Sequence, residues 1–209
     1  QNQMVLRNLL ESFKQEQLTN FLGVPAYSLS PSDRDFSLTK NEYNSLMENK
    51  TNSAQTLNGN LKITTLKSWA ETPFFAEVIS YIKAKNPGIV IELLDSKDIA
   101  KLDSKTTEIT LSLLGMSPSD PLTHLSFLTN TTEEFDAIVS KQDIATASLI
   151  SSSEDFNTAI KKIEARIVKA NWIIPLAHFP GVVAHNKKIR QNPNLSFGWG
   201  IQAWAFQID

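Results

Sequence analysis

The sequence predicts an α/β fold, and two observations carry that prediction. Residues 61–94 read as strand, helix, strand, the order and spacing of a βαβ unit with parallel strands. The same alternation of short apolar runs and amphipathic helical stretches continues, less regularly, through the second half of the chain.

In the unit itself, Leu61-Lys62-Ile63-Thr64-Thr65-Leu66 alternates in the manner of a half-buried strand. Thr72 and Pro73 supply an N-cap and a first-turn proline for a helix whose apolar stripe is Phe74, Phe75, Val78, Ile79 and Ile82. Asn86-Pro87-Gly88 ends it, and Ile89-Val90-Ile91-Glu92-Leu93-Leu94 reads as a near-continuous apolar strand. A third strand is expected over 108–114, with Ile109, Leu111 and Leu113 on one face.

Before the unit, Met4, Val5, Leu6, Leu9, Leu10, Phe13, Leu18 and Phe21 recur at helical spacing until Gly23 and Pro25 stop the pattern. Residues 24–60 are polar, with a short helix expected near 40–47 and a turn at Asn58-Gly59-Asn60. After it, short helices are expected at 121–128 and 133–140. Ser151 and Glu154 read as a capping box opening a long amphipathic helix. Its apolar face is Phe156, Ala159, Ile160, Ile163 and Ile167, and its outward face is Lys161, Lys162, Glu164 and Arg166. Trp172-Ile173-Ile174-Pro175-Leu176 reads as a strand at an edge or bulge, because proline cannot donate to a central ladder. Phe197, Trp199, Trp204 and Phe206 make the tail aromatic.

Composition removes several function classes. The 209 residues suffice for one substantial core, and 41% apolar with 20% charged residues is ordinary for a globular domain. A net charge of −2 is not the basic excess of a phosphate-binding surface, so no nucleic-acid partner is expected. No apolar run approaches the roughly 18 residues of a membrane span. The absence of cysteine removes disulfides, thiolate metal sites and cysteine nucleophiles, and fits either a cytoplasmic or a periplasmic home. Gln1-Asn2-Gln3-Met4 does not begin a signal peptide, so a mature chain or a fragment is expected. The chain has no GxSxG, HExxH, P-loop or GxGxxG, and His124, His178 and His185 are not at metal-ligand spacing. No enzyme, cofactor or metal is expected.

The order of elements resembles the C-terminal lobe of family 5 extracellular solute-binding proteins, the oligopeptide- and dipeptide-binding components of ABC importers. Val5-Leu6-Arg7-Asn8-Leu9-Leu10 resembles the family's first helix here, and Gly23-Val24-Pro25-Ala26 the segment after it. The 61–94 unit with Gly88-Ile89, the 113–128 segment with Asp120-Pro121, and the 172–176 "iPL" strand follow in the family's order. The likeness rests on order over residues 4 to about 190, not on any one motif.

The resemblance implies one lobe of a periplasmic-binding-protein type II fold, with a mixed sheet flanked by helices. It implies a ligand lobe over residues 1–190 and a returning segment over 191–209 that leads toward an absent N-terminal lobe. Its partners would be a peptide or similar small solute and the importer's membrane subunits. The chain would be a monomer, periplasmic or extracellular, held at the membrane through the importer. Two alternatives stay open: the ligand-sensing lobe of a transcriptional regulator, and an interaction protein that kept the fold without a small ligand.

The resemblance also names candidate ligand contacts. His178 and Phe179 match positions that face the family's cleft, against the plainer reading of a strand end. Many peptide-binding members carry an aspartate at the position of Ser117, where it pairs with the peptide's ammonium. A serine hydroxyl cannot supply that charge-assisted pairing. Trp69 lies beyond the C-terminal end of the first βαβ strand, where ligands of open α/β sheets gather; packing under a loop is the plainer reading. Asp120, ahead of Pro121, is either an N-cap or a ligand contact.

Overall fold

A computed structural model describes residues 2–18, 21, 23–47, 61–101, 109–113, 120–129, 133–179, 189–191 and 206–208. Its elements are α1 (Asn2–Glu16), β1 (Val24–Pro25), α2 (Lys40–Met47), β2 (Lys62–Leu66), α3 (Lys67–Ala70), α4 (Pro73–Lys85), β3 (Val90–Leu94) and β4 (Ile109–Thr110). Then follow α5 (Pro121–Thr129), α6 (Glu133–Ile138), α7 (Lys141–Ser148), α8 (Ser153–Lys169), β5 (Ala177–His178), β6 (Ile189–Gln191) and β7 (Phe206–Ile208). The α/β reading holds. The turn at Asn58-Gly59-Asn60, Ser117, His185, Trp199 and Trp204 lie outside the described residues.

The βαβ unit forms as its residues dictate. β2 and β3 are parallel, Lys62 opposite Val90 through Leu66 opposite Leu94, and α4 connects them. β4 pairs parallel to the other side of β2, giving the order β3-β2-β4. That central place corrects the half-buried alternation expected of β2. Ile63, Thr64, Thr65 and Leu66 are all buried, because each flank and both faces are covered. β3 is the less buried strand, with Val90 and Leu93 about half exposed. The third strand is short: Leu111 donates to Thr64 at 3.0 Å beyond the two-residue ladder, and Leu113 is exposed rather than facing the core.

Two cores flank a bridging cluster. One joins α1 to the sheet and α4 through Leu6, Leu10, Phe13, Ile63, Val78 and Ile82. The other is helical, with Leu125, Phe135, Val139, Ile144, Ile160 and Ile163 from α5–α8 around the inserted Leu29. Leu38, Tyr43, Met47 and Val168 form the bridging cluster. Arg7 is buried with it: its Nη1 donates to the Val168 carbonyl at 2.9 Å and to the Asn171 side chain, and its Nε to the Tyr43 hydroxyl at 3.3 Å.

Other expectations are corrected by a residue or a face. α1 ends at Glu16, earlier than its periodic pattern. The N-cap of α8 is Ser152, whose hydroxyl accepts from the Asp155 amide at 3.4 Å, and not Ser151. Glu164, placed outward by the helical wheel, is 1% exposed beside Ile160, Ile163 and Ile167. Residues 173–176 form no strand; the ladder begins only after Pro175, where Ala177–His178 pairs antiparallel with Val24–Pro25. Helix α7 has no counterpart in the sequence reading. Its signal was the Ser140/Asp143 capping box, ahead of a helix that buries only Ile144 and Ala147. β6 and β7 pair antiparallel, Ile189 opposite Ile208.

Candidate functional site

The C-terminal end of β2 passes directly into the single turn of α3, which carries Trp69. Trp69 therefore sits on a helix rather than in an open loop. Thr72 has the extended N-cap backbone expected of it, but its hydroxyl donates back to the Trp69 carbonyl at 2.7 Å and does not cap α4. At the start of α4, Phe74 and Phe75 point in different directions from adjacent positions. Trp69 meets Phe75 with ring centroids 6.0 Å apart, Phe75 meets Phe74 at 5.8 Å, and Phe74 meets Phe179 at 4.8 Å. Phe13 and Phe21 close on Phe74 from α1 and the segment after it.

Two of the sequence-derived candidates, Trp69 and Phe179, are thus the ends of one aromatic row beyond the C-terminal end of the parallel sheet. Phe179 lies over Gly23, where an added Cβ would come within 2.8 Å of its ring. With Val24, it leaves an apolar surface exposed at the β1–β5 ladder. Phe74 and Gly23 adjoin this surface and Phe75 is buried behind it; the sequence reading had assigned the two phenylalanines only to the helix stripe.

His178 does not join the row. Its Nε2 donates to the Ser28 carbonyl at 3.1 Å, and burial lowers its pKa from the usual imidazole value, so the neutral ring is favoured. Ser117 falls outside the described residues. Asp120 is an N-cap: its Oδ1 accepts from the amides of Leu122 at 3.1 Å and Thr123 at 3.2 Å. The Thr123 hydroxyl hydrogen bond, with those two amides, holds its carboxyl below the usual range. His124 is buried on α5, its Nδ1 3.5 Å from the Asp120 carbonyl. Among the described residues no cluster of three potential metal ligands occurs, and no helix is long and apolar enough to cross a membrane.

What the geometry defines is a lobe of the α/β type. It has a parallel sheet whose C-terminal edge carries aromatic rings, and a short antiparallel crossing beside them. No family model and no curated protein sequence matches the chain. Solved structures do. The chain is similar to HbpA2 from Haemophilus parasuis at 17% identity and TM-score 0.59, over 100% of this chain and 45% of that one. It is similar to the periplasmic oligopeptide-binding protein OppAIV from Borrelia burgdorferi at 17% identity and TM-score 0.57, over 83% and 39%. AppA from Bacillus subtilis, solved in complex with a nonapeptide, matches at 12% identity and TM-score 0.54, over 99% and 47%. These are family 5 solute-binding proteins, and the resemblance read from the sequence holds at the level of the fold. The chain spans less than half the length of each of them.

Proposed function

We propose that this chain supplies one lobe of the substrate-binding component of an ABC importer, and that it captures a peptide or similar small solute in a cleft between lobes. The observation that carries this reading is the likeness of nearly the whole chain to under half of the nonapeptide-bound AppA. The role is binding, not catalysis. Ligand affinity for the closed arrangement would shift a hinge equilibrium and present that form to the importer's membrane subunits. Residues 1–190 would form the lobe and 191–209 the segment returning to its counterpart. The place of action would be periplasmic or extracellular.

Phe179 and Trp69 would bound the apolar side of the cleft, with His178 and Ser117 as polar contacts. The exposed ring of Phe179 supports its place in that set. Serine at 117 favours ligands without a free ammonium to be paired, and Ser117→Asp is expected to raise affinity for free peptides. A lone lobe binds weakly, because half of the contacts and the exclusion of water are missing.

The test is native mass spectrometry of the natural gene product purified from its own host. A mass near twice that of this chain, with a releasable peptide or solute, supports the reading and identifies the cargo. A mass equal to this chain, with nothing bound, overturns it.

A further inference from the structure

Residues 26–30 leave the β1–β5 ladder as a run of bends, and three ionisable side chains from three separate elements hold it at alternate positions. Lys14 of α1 donates to the Ala26 carbonyl at 2.9 Å. His178 of β5 donates to the Ser28 carbonyl at 3.1 Å. Glu164 of α8 accepts from the Ser30 amide at 3.1 Å and from the Ser30 hydroxyl, both on Oε1. Ala26, Ser28 and Ser30 are each 1% exposed, so water does not substitute for these ties.

The Glu164 end is the unbalanced one. Oε2 is buried with no hydrogen-bond partner, and the helix neighbours Ile160, Ile163, Ile167 and Val168 are apolar and buried. A neutral carboxyl carries no charge to strip of water, and Ser30 satisfies its Oε1, leaving only the hydroxyl on Oε2 without an acceptor. An anion there sets a full buried charge against only the Ser30 donors and the Leu29 amide.

The charged groups on the surrounding elements are engaged elsewhere. From α1, Lys14 pairs with Glu11 at 2.8 Å, and Arg7 is bound to Tyr43, Val168 and Asn171. From α2, Glu42 pairs with Lys161 at 3.1 Å, and from α7, Asp143 pairs with Arg166 at 3.0 Å. Asp33 and Arg34 face each other at 3.6 Å within the loop, while Asp35, Lys40, Lys141, Lys162 and Lys169 are exposed. The helical core adds His124 of α5 and Asp136 of α6. Among the described residues none of these forms an ion pair with Glu164. Glu42 and Asp143 are both held below the usual carboxylate range, so they stay ionised near neutral pH.

We propose that residues 26–30 form a proton-dependent clasp, closed while Glu164 is protonated and loosened when it ionises. Burial pushes the Glu164 carboxyl up to about 7, against the pull of the Ser30 donors and the Leu29 amide, which places the transition near neutrality. His178 acts in the opposite sense. Burial lowers its pKa, so only more acidic conditions would add a charge, and that charge would be buried beside Lys14. The clasp adjoins the ladder that carries Val24 and Phe179, so its loosening would reach the exposed apolar surface there. This inference concerns the chain itself and stands apart from the transport reading.

The test is amide hydrogen exchange at Ser30 in the 209-residue chain, corrected for the intrinsic rate, between pH 5.5 and pH 8. With Glu164 at about 7 in the closed form and 4.5 once exposed, Ser30 protection should fall roughly thirtyfold over that range. Amides at the centre of α4, such as Val78, should not follow. Glu164→Gln should abolish the pH dependence and hold protection near its acid value. PH-independent exchange, an equal fall in Glu164→Gln, or a parallel fall at Val78 each overturns the clasp. Should Glu164→Gln not fold, carbon-13 titration of the wild-type carboxyl decides: a midpoint near 7 upholds the proposal, and one below about 5.5 refutes it.

Discussion

Arg7→Met tests how the two cores are joined. Arg7 is 3% exposed, and its guanidinium ties α1 to the Tyr43 hydroxyl, the Val168 carbonyl and the Asn171 side chain. Asn171, just past the C-cap Ala170 of α8, has φ 57°, a left-handed conformation that closes helix ends and that asparagine tolerates. Arg7 therefore holds a cation against carbonyls at a helix C-terminus. Methionine keeps an apolar stem of similar reach, so most packing survives. It leaves the Asn171 oxygen without this donor, while the Val168 carbonyl keeps the Asn171 amide at 3.1 Å, so about 1–3 kcal/mol is lost for the one group left unpaired. Against that, the substitution removes a buried charge whose Nη2 has no partner, which offsets part of the loss. The net expectation is a destabilisation of about 1–3 kcal/mol, read from urea unfolding followed by tryptophan fluorescence and circular dichroism. Asn171→Gly keeps the backbone conformation and deletes only the acceptor, so it should cost about 1 kcal/mol. In the double variant the two effects should be coupled by about 1 kcal/mol or more. A loss below about 1 kcal/mol for Arg7→Met, or strict additivity, would show that this guanidinium does not join the cores as described.

Three further outcomes are expected. Glu164 has a folded-state pKa of about 7 against an ordinary 4.5, so the folded chain binds more protons than the unfolded one between those values. Stability should therefore fall by about 3 kcal/mol as pH rises through that window, with His178 opposing at its acid side, and Glu164→Gln should flatten the decline in urea midpoints. Gly23→Ala should push the Phe179 ring off Phe74, because the new Cβ lies 2.8 Å from that ring. Phe179 is 42% exposed and can swing away, so the stability cost should stay within about 1 kcal/mol while its ring-proton shifts move; unmoved shifts would contradict the contact. Ser152→Ala should cost about 1 kcal/mol through loss of the α8 cap and Ser151→Ala almost nothing, and the reverse order in thermal melts would restore Ser151 as the cap.

The sequence by itself determined the elements whose causes are local. Pro73, Asn86-Pro87-Gly88 and the apolar stripe of α4 sit within a few turns of one another, and α2 begins and ends where its polar flanks place it. Asp120 was readable as a cap because the residues it serves are its immediate neighbours. Trp69 was readable as a candidate because the end of a strand can be located from its own residues.

Only the tertiary structure decided what depends on distant partners. Glu164 reads as an outward charge on a helical wheel, and its burial follows from Ser30, far away in sequence, folding onto that face. Ser151 and Ser152 are indistinguishable by period, and the backbone entering α8 chose between them. The joining of Trp69 to Phe179 required α4 to present Phe74 and Phe75 between a strand end and a ladder formed some hundred residues later. Periodicity states which faces are apolar. Which face meets which, and which charge is trapped between them, follows only when the chain closes on itself and removes water from both sides.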